Sequence, residues 1–215
     1  MTLAAHITPE ILLEAYRIGV FPMAEHENDP EVFWVDPRRR GIFPMDGFHV
    51  SRSLGRRMRR GGYGVTLNQD FDGVLAHCAD RAETWISADI ARLYRALHLR
   101  GAAHSIEVWQ DGMLCGGVYG VTCGAAFFGE SMFSTRSDAS KLALTHLVDH
   151  LRRCGFRLFD TQFTTPHLIR LGAVEVPRKD YHMMLNEAVE RPADIMACPL
   201  ERDPQEVLQR MTQTS

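Results

Sequence analysis

Apolar residues recur along this chain in two rhythms, one helical and one alternating. In "TPEILLEAYRIG" they follow a helical spacing, with Thr8 as cap, Pro9 in the first turn and Gly19 as stop. Residues 20–44 are rich in proline and aromatics and predict short strands at most. "SRSLGRRMRRGG" predicts a short helix capped by Ser51, anchored by Leu54 and Met58. The glycine pair Gly61–Gly62 then suggests a boundary, so residues 1–62 read as a small N-terminal domain. Beyond it come a strand at Val65–Leu67 and helices over about 70–81 and 87–100. An alternating hairpin follows, turning at Asp111–Gly112. "AAFFGE" predicts the next strand and "SDASKLALTHLVDHLRRCG" a helix whose Leu142, Leu144, Leu147, Val148 and Leu151 face a core. "FRLFDTQF", "TPHLIRLG" and "AVEVP" predict strand, helix and strand. The main domain spans 63–190, and a tail, 191–215, carries a helix start at Asp203, Pro204 and Glu206.

Composition narrows the class. The chain has 215 residues, 45% of them hydrophobic, which suits a soluble protein with a real core. No apolar run approaches the roughly 18–20 residues of a membrane span, and "MTLAAHITPE" has no basic region of the kind that opens a signal peptide, so a cytoplasmic location is expected. The five cysteines show no C-x-x-C pair and read as free thiols. His146 and His150 are four apart, but no third ligand is near in sequence, so no metal is expected.

Charge is uneven. Net charge is −3, yet residues 38–60 hold Arg38, Arg39, Arg40, Arg52, Arg56, Arg57, Arg59 and Arg60 against one acid, Asp46. Arg52, Arg56, Arg59 and Arg60 fall on one stripe of the expected helix, away from Leu54 and Met58. Such a stripe is either a solvated face or a site for a polyanion, and arginine suits phosphate because its fork bonds two oxygens.

The predicted order after residue 63 is strand, two helices, three strands, helix, strand, helix, strand. It resembles the GNAT acyltransferase fold, a mixed α/β (α+β) architecture whose fourth and fifth strands run parallel and splay apart. Glu130 and Asp160 would then stand at neighbouring strand ends beside the gap, where open α/β sheets place their sites. GNAT enzymes that use coenzyme A carry a glycine-rich loop after the fourth strand. "STRSDASK" stands there with no glycine, so no coenzyme A or other cofactor is expected, and an aminoacyl-tRNA ester is the donor that suits the arginine stripe.

The motifs "AYRIGVFP", "DPRRRGIFP", "HVSRSL", "TWI", "HSIEVW", "GGVYGV", "FFGESMFS", "DASKLAL", "DTQ" and "LGAVEVPR", in this order across residues 8–185, resemble the leucyl/phenylalanyl-tRNA–protein transferases. The resemblance implies transfer of leucine, phenylalanine or methionine from tRNA to the N-terminal arginine or lysine of a protein, marking it for N-end rule degradation. The related alternative is a leucyl transferase that acts on acidic N-termini. The resemblance further implies that Asp160 and Gln162 hold and activate the reacting amine, with Glu130 near the aminoacyl α-ammonium. It implies Phe127, Met132, Leu144 and Leu147 as the aminoacyl side-chain pocket, Trp85 near the terminal adenosine, and Arg52, Arg56, Arg59 and Arg60 on the acceptor stem. By periodicity alone the four apolar residues read as core. Met23 departs from the family: "FPMA" stands where an indole usually packs on that adenosine, and Phe33 or Trp34 are candidates to compensate. A monomer working on aminoacyl-tRNA and basic N-termini, away from membranes, is the overall expectation.

Overall fold

The computed structural model describes residues 7–23, 33–80 and 84–213. Helix α1 (Pro9–Arg17) opens with Thr8 Oγ1 accepting from the Ile11 amide and buries Leu12, Ala15 and Tyr16. Strands β1 (Phe21–Met23) and β2 (Phe33–Val35) form a small antiparallel pair, Met23 opposite Phe33. Then follow β3 (Arg39–Phe43), α2 (Arg52–Arg60), β4 (Gly64–Leu67), α3 (Phe71–Ala79) and α4 (Ala88–Leu99). The hairpin β5 (Ala103–Gln110) and β6 (Met113–Cys123) turns at Asp111 and Gly112, both with positive φ, as a tight hairpin turn requires. The chain continues through β7 (Ala126–Ser134), α5 (Ala139–Arg153), β8 (Leu158–Gln162), α6 (Pro166–Arg170), β9 (Val174–Pro177), α7 (Arg178–Val189) and α8 (Pro204–Thr212).

Seven strands form one sheet in the order β4-β5-β6-β7-β8-β3-β9. Only β7 and β8 are parallel neighbours, paired over Ala126–Phe128 and Leu158–Asp160; the other pairs are antiparallel. β7 runs on to Ser134 after its pairing with β8 has ended, so the two strands part at Gly129. A Cβ on Gly129 would come within 2.8 Å of the Phe159 ring, and glycine lets the strands stay close up to the point where they diverge. This is the splayed parallel pair expected of a GNAT-like fold. The order of elements from β4 to β9 is also the expected one.

The place of one short strand and the existence of one helix were not foreseen. β3 comes from the first 62 residues but lies inside the main sheet, hydrogen-bonded to β8 on one side and β9 on the other. The sheet therefore does not divide at Gly61–Gly62. The run "RRRGIF" hides this strand because its arginines read as surface, whereas Arg40 is wholly buried. Helix α7 was missed between β9 and the tail; its Tyr181, Leu185, Ala188 and Val189 are buried.

Helices cover both faces of the sheet. One core gathers Leu12 and Tyr16 of α1, Phe71 and Val74 of α3, Ile90, Leu93 and Tyr94 of α4, and Tyr181 and Leu185 of α7. The other joins Leu54 and Met58 of α2, Leu144, Leu147 and Val148 of α5, and Val207 and Leu208 of α8. No described helix is long and apolar enough to cross a membrane.

Candidate active site

The gap where β7 leaves β8 opens into a cavity of about 250 Å³. Its apolar walls are Phe43 of β3, Val118 of β6, Met132 of β7, Leu144 of α5, Phe159 of β8 and Leu168 of α6. Glu130 and Ser131 stand on its β7 side and Thr161 on its β8 side. Of the four residues expected to form a side-chain pocket, Met132 and Leu144 line this cavity. Phe127 and Leu147 do not: each is about 1% exposed and packs in the core behind it. All four are apolar and belong to one core, since the register shift of β7 opposite Tyr119 and Gly120 returns Met132 to the face of Phe127; only the divergence of β7 from β8 decides which ones meet open space.

The carboxylates are linked. Gln162 Nε2 donates to Glu130 Oε1 at 3.0 Å, and the Gln162 amide donates to Asp160 Oδ1 at 2.7 Å. Gln162 has φ of +62°, a left-handed conformation a glutamine seldom takes. The bond from its amide to Asp160 holds it there, and the turn aims its side chain across the gap at Glu130.

Asp160 is buried with zero exposure and fully coordinated. Arg40 Nε bonds both of its oxygens, at 3.0 and 3.1 Å, and Arg40 Nη2 reaches Oδ2 at 2.7 Å. Tyr181 donates to Oδ2 at 2.7 Å. With the Gln162 amide, these donors fill the roughly four acceptor sites of a carboxylate. Arg40 is held in turn by the Gly19 carbonyl at 3.0 Å and lies between the rings of Phe21 and Tyr181, at 4.5 and 4.4 Å. No acceptor site on Asp160 is left for a substrate ammonium, so the geometry differs from the expectation that Asp160 itself meets the reacting amine.

Glu130 is the half-buried carboxylate that borders the cavity. Tyr94 donates to its Oε2 at 2.6 Å, and the Tyr94 and Tyr16 hydroxyls are 2.8 Å apart. Burial pushes the Glu130 carboxyl up to about 7; the bonds from Tyr94, Tyr16 and Gln162 oppose that rise but do not cancel it. Both tyrosines are pushed well above the usual phenol range by burial and by the Glu130 charge, and stay neutral donors. Arg40, Tyr181, Tyr94 and Tyr16 carried no signal in the sequence, because they come from four separate elements and share no spacing.

The remaining expected residues surround this centre. Trp85 is half-buried, its ring edge-on to Tyr94 at 6.2 Å, so one aromatic separates it from Glu130. Met23 packs at the margin of the same core as Trp85, and its strand partners Phe33 and Trp34 are 44% and 40% exposed. On α2, Arg52, Arg56, Arg59 and Arg60 are exposed, while Leu54 and Met58 are buried and Ser51 caps the helix, as the spacing predicts. Arg57 turns back instead, donating to the Gly61 carbonyl at 2.6 Å.

Two polar cavities share lining residues between α2 and the centre. One, of about 390 Å³, shares Met132 with the apolar cavity and is lined by His77, Ser134, Thr135, Ser140 and His167. The next, of about 450 Å³, shares His167 and is lined by Lys141, Arg170 and by Ser51 and Ser53 at the start of α2. His167 Nε2 is buried without a hydrogen-bond partner.

The fold is GNAT-like, with the cavity in the splay of its parallel strands. Among solved structures, FemX has this fold, with a TM-score of 0.51 at 13% identity over 77% of this chain and 66% of that one. The profile of the leucyl/phenylalanyl-tRNA protein transferase family matches residues 42–186, and the profile of that family's N-terminal domain matches residues 5–38. The leucyl/phenylalanyl-tRNA–protein transferase of Ruegeria pomeroyi is 66% identical over 97% of this chain and 99% of its own length. That of a Cereibacter sphaeroides strain is 60% identical over 97% and 98%. The chain belongs to the leucyl/phenylalanyl-tRNA–protein transferases and is an aminoacyltransferase.

Proposed function

We propose that the protein moves leucine, phenylalanine or methionine from aminoacyl-tRNA to the N-terminal arginine or lysine of proteins, and so marks them for N-end rule degradation. The observation that carries this reading is the pairing of an apolar cavity with the Glu130–Gln162–Asp160 chain in the gap between β7 and β8. The donor's side chain enters the cavity. Its α-ammonium then lies against Glu130. An apolar wall discriminates weakly, because one methylene is worth only about 1–3 kcal/mol, and this accounts for a mixed preference among long side chains.

Asp160 acts as a positioning residue, locked by Arg40 and Tyr181, and it sets the turn that presents Gln162. The Gln162 Nε2 is occupied by Glu130, which leaves Oε1 to accept a hydrogen from the acceptor's α-amine. That amine attacks after losing its ammonium proton to solvent. A C–N bond forms to the ester carbonyl and the bond to the ribose oxygen breaks. Of the two amine hydrogens, one stays on the amide and one ends on the leaving hydroxyl. An ester is already activated, so the residues on hand suffice for positioning and charge stabilisation.

The tRNA reading rests on the exposed arginines of α2 and on the line of cavities that runs from Ser51 to Met132. A single-stranded acceptor end laid there meets Lys141, Arg170 and the unpartnered His167 Nε2 on its way to the centre. Trp85, Met23 and Trp34 are the surfaces offered to its terminal adenosine. The deciding experiment supplies labelled leucyl-tRNA with peptides that begin with Arg, Lys, Asp or Glu. Transfer confined to Asp and Glu would replace the basic-acceptor reading with the acidic one, and transfer to none of the four would sink both.

A further inference from the structure

The densest group of ligating side chains outside the active site lies at the end of α5. His150 and Cys154 are four residues apart on that helix, so they leave the same face one turn apart. Residues 190–203 cross this face and bring in Cys198 from 44 positions further along the chain. The Cys154 and Cys198 sulfurs are 3.2 Å apart, Cys198 Sγ is 4.0 Å from His150 Nδ1, Cys154 Sγ is 3.7 Å from His150 Nε2 and would shift toward Nδ1 to share an ion, and one ligating atom from each residue lies within 4.8 Å of the others. None of the three borders the active-site cavity.

The histidine is oriented for ligation. His150 Nε2 lies 2.7 Å from the Ile195 carbonyl, and a carbonyl can only accept. Nε2 therefore carries the hydrogen and Nδ1 keeps its lone pair on the side of Cys198. A backbone carbonyl on the far nitrogen is the usual way a ligating imidazole is held. Cys198 is half-buried, so an ion has a way in, and water can take a fourth position.

We propose that His150 Nδ1, Cys154 Sγ and Cys198 Sγ form a site for one thiophilic cation of the zinc(II) type, which ties residues 190–203 to α5. Two thiolates and an imidazole select such an ion over magnesium or calcium, which prefer oxygen. With zinc–sulfur bonds of about 2.3 Å, a tetrahedral site holds its sulfurs about 3.8 Å apart, so the pair opens by about half an ångström, a shift a loop residue such as Cys198 can supply. Burial keeps His150 neutral and pushes the Cys154 thiol up to about 12, so Cys154 enters as a thiol and gives up its proton on binding. The sequence concealed the site because its second cysteine lies on a different element. The consequence is structural: α8 begins six residues after Cys198 and packs on both α5 and α2.

The test uses the full chain, reduced and stripped of metal with a chelator. Cobalt(II) serves as the coloured probe and zinc(II) as competitor. One equivalent of cobalt should give thiolate charge-transfer absorption in the near ultraviolet and the visible bands of a tetrahedral site, and one equivalent of zinc should abolish both. Zinc should also raise the melting temperature, protect two thiols from alkylation and leave transfer from leucyl-tRNA nearly unchanged. Cys198→Ser, at a half-exposed loop position, should retain the fold and weaken zinc by more than the 10- to 100-fold that loss of a mere supporting contact costs. His150→Gln should do likewise, while Cys115→Ser should bind as the parent does. Absence of stoichiometric binding by the reduced chain overturns the proposal. So does binding that survives Cys198→Ser and His150→Gln, and so does a chain that forms only a Cys154–Cys198 disulfide in air and takes up no zinc once reduced.

Discussion

Replacing Glu130 with glutamine separates the two consequences of its position. Burial pushes its carboxyl up to about 7 from the ordinary 4.5 of a free glutamate. At about 1.4 kcal/mol per unit, ionising it in the folded protein costs on the order of 3 kcal/mol, and partial solvent contact lowers that toward 1–2 kcal/mol. The folded value lies above the unfolded one, so the penalty is absent below about pH 4.5. Stability is lost as pH rises from there to about 7, and the loss is constant above. Glu130→Gln keeps the shape and an acceptor for the Gln162 amide but cannot ionise. The variant should melt close to the parent at pH 4.5 and higher than the parent at pH 8. Catalysis should move the other way. The donor's α-ammonium needs an ionised Glu130, and the acceptor's α-amine must lose its own proton, which it does at about pH 8, so single-turnover transfer of leucine to an Arg-starting peptide should rise about a hundredfold per pH unit below 7, about tenfold per unit from 7 to 8, and then level off. The variant should lose the steeper Glu130 limb, keep only the tenfold-per-unit limb of the acceptor amine, and run about 10- to 100-fold slower on the plateau, the worth of one hydrogen bond to a charged group. Ester hydrolysis is measured in parallel and subtracted. A variant with the parent's steeper limb, or with no gain in melting temperature between pH 4.5 and 8, would refute the assignment of Glu130.

Three further perturbations address the surrounding parts. Asp160→Asn leaves Arg40 buried beside a neutral partner, and breaking a buried pair costs about 3–5 kcal/mol; denaturant unfolding should register that loss, with slower transfer and the Glu130 limb retained but moved to lower pH, because the Asp160 charge raises that carboxyl, whereas loss of the limb would make Asp160 itself the titrating group. Leu144→Ala should enlarge the cavity and shift preference from leucine toward larger side chains, while Leu147→Ala should cost about 2–5 kcal/mol of stability and leave the ratio of leucyl to phenylalanyl transfer unchanged; a shift with Leu147→Ala alone would move the pocket deeper into the core. Substituting alanine for Arg52, Arg56, Arg59 and Arg60 together should weaken all tRNAs alike and reduce the slope of log affinity against log salt by about 3, given four phosphate contacts; an unchanged slope would put the tRNA on another face.

Some of this protein was determined by the local order of its residues. Caps such as Thr8 and Ser51, the Asp111–Gly112 turn and the apolar spacing of α5 are decided within a few positions, and they sufficed for the element order from β4 to β9. The same order placed Glu130 and Asp160 near the parting strands, and helical spacing alone put four arginines on the open side of α2. The tertiary structure decided what depends on contacts between distant segments. Arg40 reads as one cation in a run, yet the pairing of β3 between β8 and β9 buries it against Asp160, 120 residues away, and turns that aspartate from an exposed candidate into a saturated anchor. Phe127 and Met132 share one strand and one apolar character, but Met132 lies past Gly129, where β7 has left β8, and so only it faces the cavity. Glu130 acquired its raised carboxyl from burial, against the opposing bonds of Tyr94, Tyr16 and Gln162, and both meet it only in the folded chain. Desolvation and coordination belong to packed neighbours in space, and no spacing along the chain encodes them.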